Sequence, residues 1–451
     1  MKLFGTDGIR GTVNKYPITP ESVVRIGMSI GRALQKKHSK NMILIGKDTR
    51  LSGYLIECAL TTGLCSVGMN VTLVGPIPTP GIAFLTKTLR FDAGIVISAS
   101  HNPFQDNGIK IFTNTGFKIP DETEEEIEKM VLDEKMPANR PTGSKIGKAY
   151  RLEDATGRYI EYIKSTIPKT VNFEGLKVIV DSANGAAYKV TPELLKELGA
   201  KVISINDNPD GKNINAKCGT LFIEKLKDVI LKHNAHVGIA HDGDADRTLL
   251  ADEKGNIVDG DMIMAIWAKE LMLEDNLPKN TVVSTVMSNL GFEHYLNKIG
   301  VKLIRTKVGD RYVVEKLLEG DYVFGGEQSG HIVALNHNTT GDGPITAVQI
   351  LNIMKKRNKF LSELVKDITL YPQVLKNVVV GNRAKIGKIE DYPDVVNCIK
   401  DVEDRLGNTG RILVRPSGTE PKIRIMVEGQ SNELINAIAE EVCLSVTKNM
   451  S

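Results

Sequence analysis

Aromatic side chains are scarce in this chain, at 5%, with one tryptophan. The basic clusters QKKHSK (35–40) and MKKRNK (354–359) therefore lack the interleaved aromatics of a nucleic-acid surface, and they read as solvated faces. A net charge of +3 is also too small to imply nucleic acid. No run of about 18 apolar residues occurs, so no membrane span is expected. The N-terminal MKLFGTDGIRG carries Asp7 and Arg10 where a signal peptide needs an apolar core. The five cysteines (Cys58, Cys65, Cys218, Cys398 and Cys443) are odd in number and scattered, with no CxxC pair. That usage argues against a disulfide framework and for a reducing compartment, so the cytoplasm is expected. There is no GxGxxG, no P-loop and no GxSxG, which removes the usual sequence grounds for a nucleotide site or a hydrolase elbow. His233 and His236 have no cysteine or carboxylate at ligand spacing, so they do not read as a zinc site.

What is present is a repeat. A chain of 451 residues exceeds what one core buries, and three or four domains are expected. NMILIGKDTR leads through a helical stretch to SVGMNVTLVG, LKVIVDSANGAA to ELGAKVISI, and NTVVSTVMSN to KIGVKLIRT. Each reads as strand, polar turn, helix, strand, with Gly68, Gly199 and Gly300 at the helix end, where a left-handed residue is wanted. Strand–helix–strand units pair in parallel through right-handed crossovers. The expected class is α/β: three similar domains with mixed or parallel sheets, plus a C-terminal α+β domain. GRILVRPSGTEPKIRIMVEG (410–429), read as strand, loop, strand before a helix, carries the α+β expectation. Boundaries are expected near residues 152, 251 and 367, giving domains 1–152, 153–251, 252–367 and 368–451.

Five stretches carry chemistry. In IAHDGDADRTLLADEKG (239–255), Asp242, Asp244 and Asp246 lie two residues apart, and carboxylates this close repel unless a cation sits among them. Hard oxygen ligands suit magnesium or calcium. An EF-hand loop fails here, because its sixth position is Arg247 and its flanks read as strands, not helices. The competing reading is a solvated acidic turn. VISASHNPFQDNG (96–108) leaves a buried strand for small polar groups, and a hydroxyl at a sheet's C-terminal edge is placed for a phosphoryl carrier. His101 and Lys110 beside it are candidates for proton transfer or charge neutralisation. The alternative is an Asn-Pro/Asn-Gly turn with incidental serines. RPSGTEPKIR (415–424) offers a guanidinium, hydroxyls and a close-approach glycine, which suits phosphate, although the same residues also make ordinary turns. GGEQSGH (325–331) offers Glu327, Ser329 and His331 to sugar hydroxyls, or forms a polar hairpin turn. TKVGDRYV (306–313) places Lys307, Asp310 and Arg311 after a strand, where a capping aspartate is the plain reading.

SASHNP, DGDADR, GEQSGH and RPSGTEP, in that order, resemble the α-D-phosphohexomutases across essentially the whole chain. FGTDGIRG, NINAKCG, TKVGDRYV and GGEQSGH look like the branch of that superfamily that works on glucosamine phosphates. The resemblance implies an intramolecular phosphotransferase that interconverts glucosamine 6-phosphate and glucosamine 1-phosphate through a phosphoserine and a 1,6-bisphosphate, upstream of amino-sugar nucleotides and cell-wall precursors. It implies that the four domains are set around a central cleft and that Ser100 carries the phosphoryl group. Asp242, Asp244 and Asp246 would hold one Mg²⁺ per chain with a Ser100 phosphate oxygen, and Arg247 would neutralise that phosphate. Glu327 and Ser329 would grip sugar hydroxyls, with Lys307 and Arg311 also on the substrate. Arg415, Ser417, Gly418 and Thr419 would clamp the non-reacting phosphate. Arg10, Lys110 and His331 fall at active-site positions, with the proton carrier among them left open. A sugar phosphate is the expected partner, and a homodimer is compatible with the family. Two departures stand out: Ala245 where bacterial members carry glycine, and Thr220–Leu221 where Ser-Thr is usual. The alternatives are a phosphomannomutase/phosphoglucomutase, a calcium-binding protein and a metal-dependent phosphatase.

Overall fold

The computed structural model describes residues 3–5, 7–36, 40–133, 140–380, 389–417 and 421–450. Four sheets follow one another along the chain. The first has six strands in the order β1-β5-β4-β2-β3-β6: β1 (Ile9–Thr12), β2 (Met42–Lys47), β3 (Asn70–Pro76), β4 (Ala93–Ile97), β5 (Asp106–Thr113) and β6 (Ala149–Arg151). The second has the order β11-β10-β9-β7-β8: β7 (Lys177–Asp181), β8 (Lys201–Ile205), β9 (Val237–His241), β10 (Thr248–Asp252) and β11 (Ile257–Val258). The third is β13-β12-β14-β15: β12 (Thr281–Thr285), β13 (Lys302–Thr306), β14 (Phe324–Gly326) and β15 (Ile332–Ala334). The fourth is the antiparallel β16-β18-β17: β16 (Gln373–Val379), β17 (Gly410–Pro416) and β18 (Lys422–Gly429).

The three expected crossovers appear as parallel pairs β2/β3, β7/β8 and β12/β13. Gly68, Gly199 and Gly300 adopt φ of +91°, +92° and +78°, the left-handed conformation that ends a helix without a Cβ clash. Central strands are buried on both faces, as β4 and β9 are throughout, which is why they read as continuous apolar runs. In each of the first three sheets one such parallel strand turns into an antiparallel partner: β4 into β5, β9 into β10, β14 into β15. The three turns between them are the SASHNP, DGDADR and GEQSGH segments. One topological position, used three times, therefore presents most of the polar motifs.

Residues through Met287 with Val301–Lys366 form one compact unit, and Ser288–Gly300 with the residues from Asp367 onward form another. The helix Leu290–Lys298, read from sequence as the crossover between β12 and β13, belongs to the second unit. Its first turn is held there by Asn289, which exchanges two hydrogen bonds with Tyr371 (both 2.9 Å), and by the buried Glu428 carboxylate, which accepts from the Leu290 N–H at 3.1 Å. In that unit the helices Pro393–Leu406 and Asn432–Met450 bury Val395, Val402, Ile435, Ile438 and Val442 with Ile423, Ile425 and Val427 of the sheet. Among the described residues no helix is long and apolar enough to cross a membrane.

Candidate active site

The β4–β5 turn delivers Ser100 to a buried position, 1% exposed, with φ of +51°. A serine in the left-handed region is strained, and such residues gather where geometry matters. Its Oγ donates to Asp242 Oδ2 at 2.7 Å. His101 Nδ1 lies 3.4 Å from the same Oγ. Burial, together with the Arg247 and Arg10 guanidinium groups, pushes the His101 imidazole down to about 4, so at neutral pH it is uncharged.

The β9–β10 turn carries the acidic cluster. Asp242, Asp244 and Asp246 are all buried, and each offers an oxygen within 4.8 Å of the others. The turn approaches the serine so closely that a Cβ on Gly243 would sit 2.5 Å from the Ser100 carbonyl oxygen. Ala245 holds φ of +55° in this turn, where glycine would be unstrained.

The surrounding groups divide the carboxylate oxygens into two sets. Thr79 Oγ1 donates to Asp244 Oδ2 at 2.7 Å, and Lys110 Nζ lies 3.0 Å from Asp244 Oδ2, 3.2 Å from Asp246 Oδ2 and 3.1 Å from Asp7 Oδ2. Asp244 Oδ1 and Asp246 Oδ1 are buried without a hydrogen-bond donor. Orphaned buried carboxylate oxygens are costly, and a hard divalent cation is the ligand that satisfies them. The donor set therefore fits such an ion: three carboxylates in reach of one another, two with a free oxygen, opposite the Ser100 hydroxyl. The electrostatics agree. Burial, with Asp246 and Asp244 beside it, pushes the Asp242 carboxyl well above the ordinary range. Burial also pushes Asp244 upward, but Lys110 and Thr79 outweigh it and hold that carboxyl below the ordinary range. Burial opposes the Lys110 charge, yet Asp244, Asp7 and Asp246 keep the ammonium firmly protonated.

Further polar groups converge on the cluster. The Arg247 N–H donates to Asp242 Oδ1 at 3.3 Å, and Arg247 Nε lies 3.9 Å from Asp246 Oδ1. Arg10 pairs with Asp7. In the β14–β15 turn, Glu327 Oε1 accepts from the Gly309 N–H at 3.3 Å, and burial raises its carboxyl. Ser329 Oγ and both ring nitrogens of His331 are buried without a hydrogen-bond partner, although His331 Nε2 lies 3.5 Å from Asp310 Oδ2 and 4.0 Å from Asp246 Oδ2. Unsatisfied buried polar groups in a native fold need an explanation, and a polyhydroxyl ligand supplies one.

Ser100, Lys110, Arg10, Arg247, His331 and the three aspartates thus form one cluster, linked to Glu327 through Gly309 and Asp310. Arg311 is turned elsewhere: its guanidinium donates to the Ile119 carbonyl at 3.0 Å and pairs with Asp121 and with Glu124 at 3.5 Å. Lys307 Nζ sits 6.0 Å over the Tyr312 ring. Arg415, at the end of β17, is opposite Arg424 on β18, and Ser417 N donates to the Lys422 carbonyl at 2.8 Å. Gly418 and Thr419 lie outside the described residues. Sequence reasoning passed over Asp7, Thr79 and Lys118 and took Asp310 as a cap. Lys118 joins Asp7 to Asp310, and these ion pairs reach residues more than a hundred positions apart, which no local spacing encodes.

Models of the phosphoglucomutase/phosphomannomutase family match the chain in order: α/β/α domain I at residues 1–138, domain II at 157–255, domain III at 259–371 and the C-terminal domain at 375–445. The chain is 58% identical over 448 residues to a phosphoglucosamine mutase of Thermodesulfovibrio yellowstonii, covering 98% of each. It is 52% identical over 450 residues to a phosphoglucosamine mutase of Myxococcus xanthus, covering 100% of this chain and 98% of the other. A crystal structure of a phosphoglucomutase/phosphomannomutase family protein from Burkholderia thailandensis shares the fold, with a TM-score of 0.82 at 23% identity over 99% of this chain and 97% of that one.

Proposed function

The chain belongs to the phosphoglucomutase/phosphomannomutase family, and from that premise we propose that it is an isomerase interconverting glucosamine 6-phosphate and glucosamine 1-phosphate. The phosphoglucosamine mutases at 58% and 52% identity over the full chain support the substrate assignment. The observation that carries the chemistry is the Ser100 hydroxyl, 2.7 Å from a carboxylate of the three-aspartate cluster.

Phosphorylated Ser100 gives its phosphoryl group to the C1 hydroxyl of glucosamine 6-phosphate, leaving the serine hydroxyl and the 1,6-bisphosphate. After the bisphosphate reverses its orientation, the phosphoryl on C6 passes to Ser100 and glucosamine 1-phosphate remains. Nothing is consumed, so one site must handle either end of the sugar. Asp242, Asp244 and Asp246 would hold Mg²⁺, which when bound neutralises charge on the transferring group. Arg247 and Arg10 add fixed positive charge at the same place. Lys110 and His331, with Arg10, are the groups among which the carrier of the hydroxyl proton is sought. Glu327 and Ser329 accept and donate to sugar hydroxyls. Arg415 and Ser417, with Gly418 and Thr419, bind the phosphate that is not reacting, and Lys307 contributes charge to the substrate.

Four domains, at 1–152, 153–251, 252–367 and 368–451, divide this labour among phosphoserine, metal, sugar and phosphate, with β11 carrying the second sheet a few residues past the second boundary. A coupled assay with the 6-phosphates of glucosamine, glucose and mannose tests the reading. Preference for glucosamine 6-phosphate by at least about tenfold in kcat/KM is expected. Preference for glucose or mannose would make the protein a phosphoglucomutase or phosphomannomutase, and release of free phosphate would make it a phosphatase.

A further inference from the structure

Arg50 is among the largest fully buried side chains, at 0% exposure, and it touches no part of the aspartate cluster. Its guanidinium is committed to the serine turn instead. Nε donates to Asp48 Oδ2 at 2.8 Å, Nη2 to the Ser100 carbonyl at 2.8 Å, and Nη1 to the carbonyls of Asn102 and Pro103 at 3.0 and 2.6 Å. Asp48 Oδ2 also accepts from Ser98 Oγ at 2.7 Å, and Ser98 Oγ accepts from the Ser100 N–H at 2.9 Å. Asn215 Nδ2 donates to the Ser100 carbonyl at 2.9 Å from the second sheet's domain. Both backbone polar groups of Ser100 are therefore bound, the N–H through Ser98 and the carbonyl through Arg50 and Asn215.

That closed ring surrounds a serine at φ of +51°, a conformation that non-glycine residues leave when nothing holds them. A buried ion pair is weak evidence for stability, because its desolvation offsets its attraction, so the Arg50–Asp48 pair calls for another account. The fork geometry supplies it: only a planar guanidinium reaches one carboxylate and three carbonyls at once, whereas a lysine ammonium does not. We propose that Arg50, acting through Asp48 and Ser98, is a positioning residue that holds Ser100 in its left-handed turn with its hydroxyl aimed at the metal cluster. This rests on the phosphoserine reading above.

Arg50→Lys and Ser98→Ala, each made in the full chain, test it. Ser98→Ala leaves the Arg50–Asp48 pair in place, so it remains informative if Arg50→Lys does not fold. Misplacement of a reacting group by about 1 Å costs roughly a hundredfold in rate. A fall in kcat of about that size is expected for either variant, with KM for glucosamine 6-phosphate within about twofold of wild type. The phosphoserine ³¹P resonance of the phosphorylated variants should also shift or broaden. If wild type turns over and both variants keep kcat within twofold, or lose efficiency only through KM, Arg50 is a structural residue and the positioning role is wrong while the mutase reading stands. If wild type itself gives no turnover on any hexosamine phosphate, the mutase reading fails and the positioning role falls with it.

Discussion

Ser100 and Asp242 are 142 residues apart in sequence, and their side chains meet at 2.7 Å. Each comes from the turn after a buried parallel strand in its own sheet, so two rigid frameworks aim the pair. Removing the hydroxyl removes the proposed carrier and no packing atom of consequence. Ser100→Ala should lose at least about 10³-fold in kcat, because no other nucleophile replaces a covalent one. Its melting temperature should stay within a few degrees of wild type. Intact mass of the purified wild type should show a fraction heavier by one phosphate that Ser100→Ala lacks. A variant with near-full activity would exclude the phosphoserine role.

Lys110 is the buried cation that balances Asp7, Asp244 and Asp246. Without it, the buried Asp244 and Asp246 carboxylates would lose their shared cation, while Asp7 would keep Arg10 and Lys118. Removing one partner of a buried charge cluster costs about 3–5 kcal/mol, and Lys110→Met should lose that much in metal-free buffer. A divalent cation supplies the missing charge, and an ion at a hundred times its Kd returns about 2.7 kcal/mol. Mg²⁺ should therefore raise the melting temperature of Lys110→Met by more than it raises that of wild type. Equal shifts would mean that the cation does not occupy the aspartate cluster. EDTA should abolish wild-type turnover and Mg²⁺ should restore it.

The parts of this site that were legible in sequence share one property: their chemistry is local. Asp242, Asp244 and Asp246 sit within five residues between two apolar runs, and Ser100 follows the unbroken apolar strand AGIVI, so strand and turn could be read together. Arg50 follows a strand in just the same way, yet nothing nearby signals that its guanidinium reaches Ser100, Asn102 and Pro103. Arg311 shows the converse limit. Its motif places it correctly at the start of the helix Asp310–Glu319, but spacing does not say that Ile119, Asp121 and Glu124 claim its side chain. The helix Leu290–Lys298 has the pattern of a crossover helix and packs with the second unit, because an apolar face does not name its partner.

Ala245 marks a place where family habit and local physics can be compared. Its φ of +55° strains an L-residue by roughly 1–2 kcal/mol. Glycine would remove that strain but would add about 0.4–1 kcal/mol of unfolded-state entropy. It would also give up a buried methyl group, worth about 0.8 kcal/mol. These contributions nearly cancel, so Ala245→Gly should change stability by less than about 1 kcal/mol and leave turnover intact. A β-branched side chain has no such compensation: Ala245→Val adds strain and overpacking at a fully buried position, each about 1–3 kcal/mol. Urea unfolding of the two variants checks this. If Ala245→Val proved as stable as wild type, the turn would have to relax out of the left-handed region.

Asp342, at the start of the helix Gly343–Arg357, governs a pH effect on stability. Its carboxylate caps the helix by accepting from the Ile345 N–H at 2.9 Å, and it also accepts from Tyr159 Oη at 2.7 Å and Asn338 Nδ2 at 2.8 Å. Burial outweighs those three bonds and pushes the carboxyl from 3.8 to about 6. The folded protein thus holds this proton to higher pH than the unfolded chain does. Its contribution to stability is fully present below about pH 4 and is lost as pH rises through about 6. At about 1.4 kcal/mol per pKa unit, the loss amounts to roughly 3 kcal/mol. Asp342→Asn has no proton to release there, so the wild-type stability minus that of the variant should fall by up to about 3 kcal/mol between pH 4 and pH 7. Urea titrations of both proteins across that range measure the difference directly. A flat difference would mean that Asp342 stays ionised in the fold and that its three donors, not its burial, set its charge.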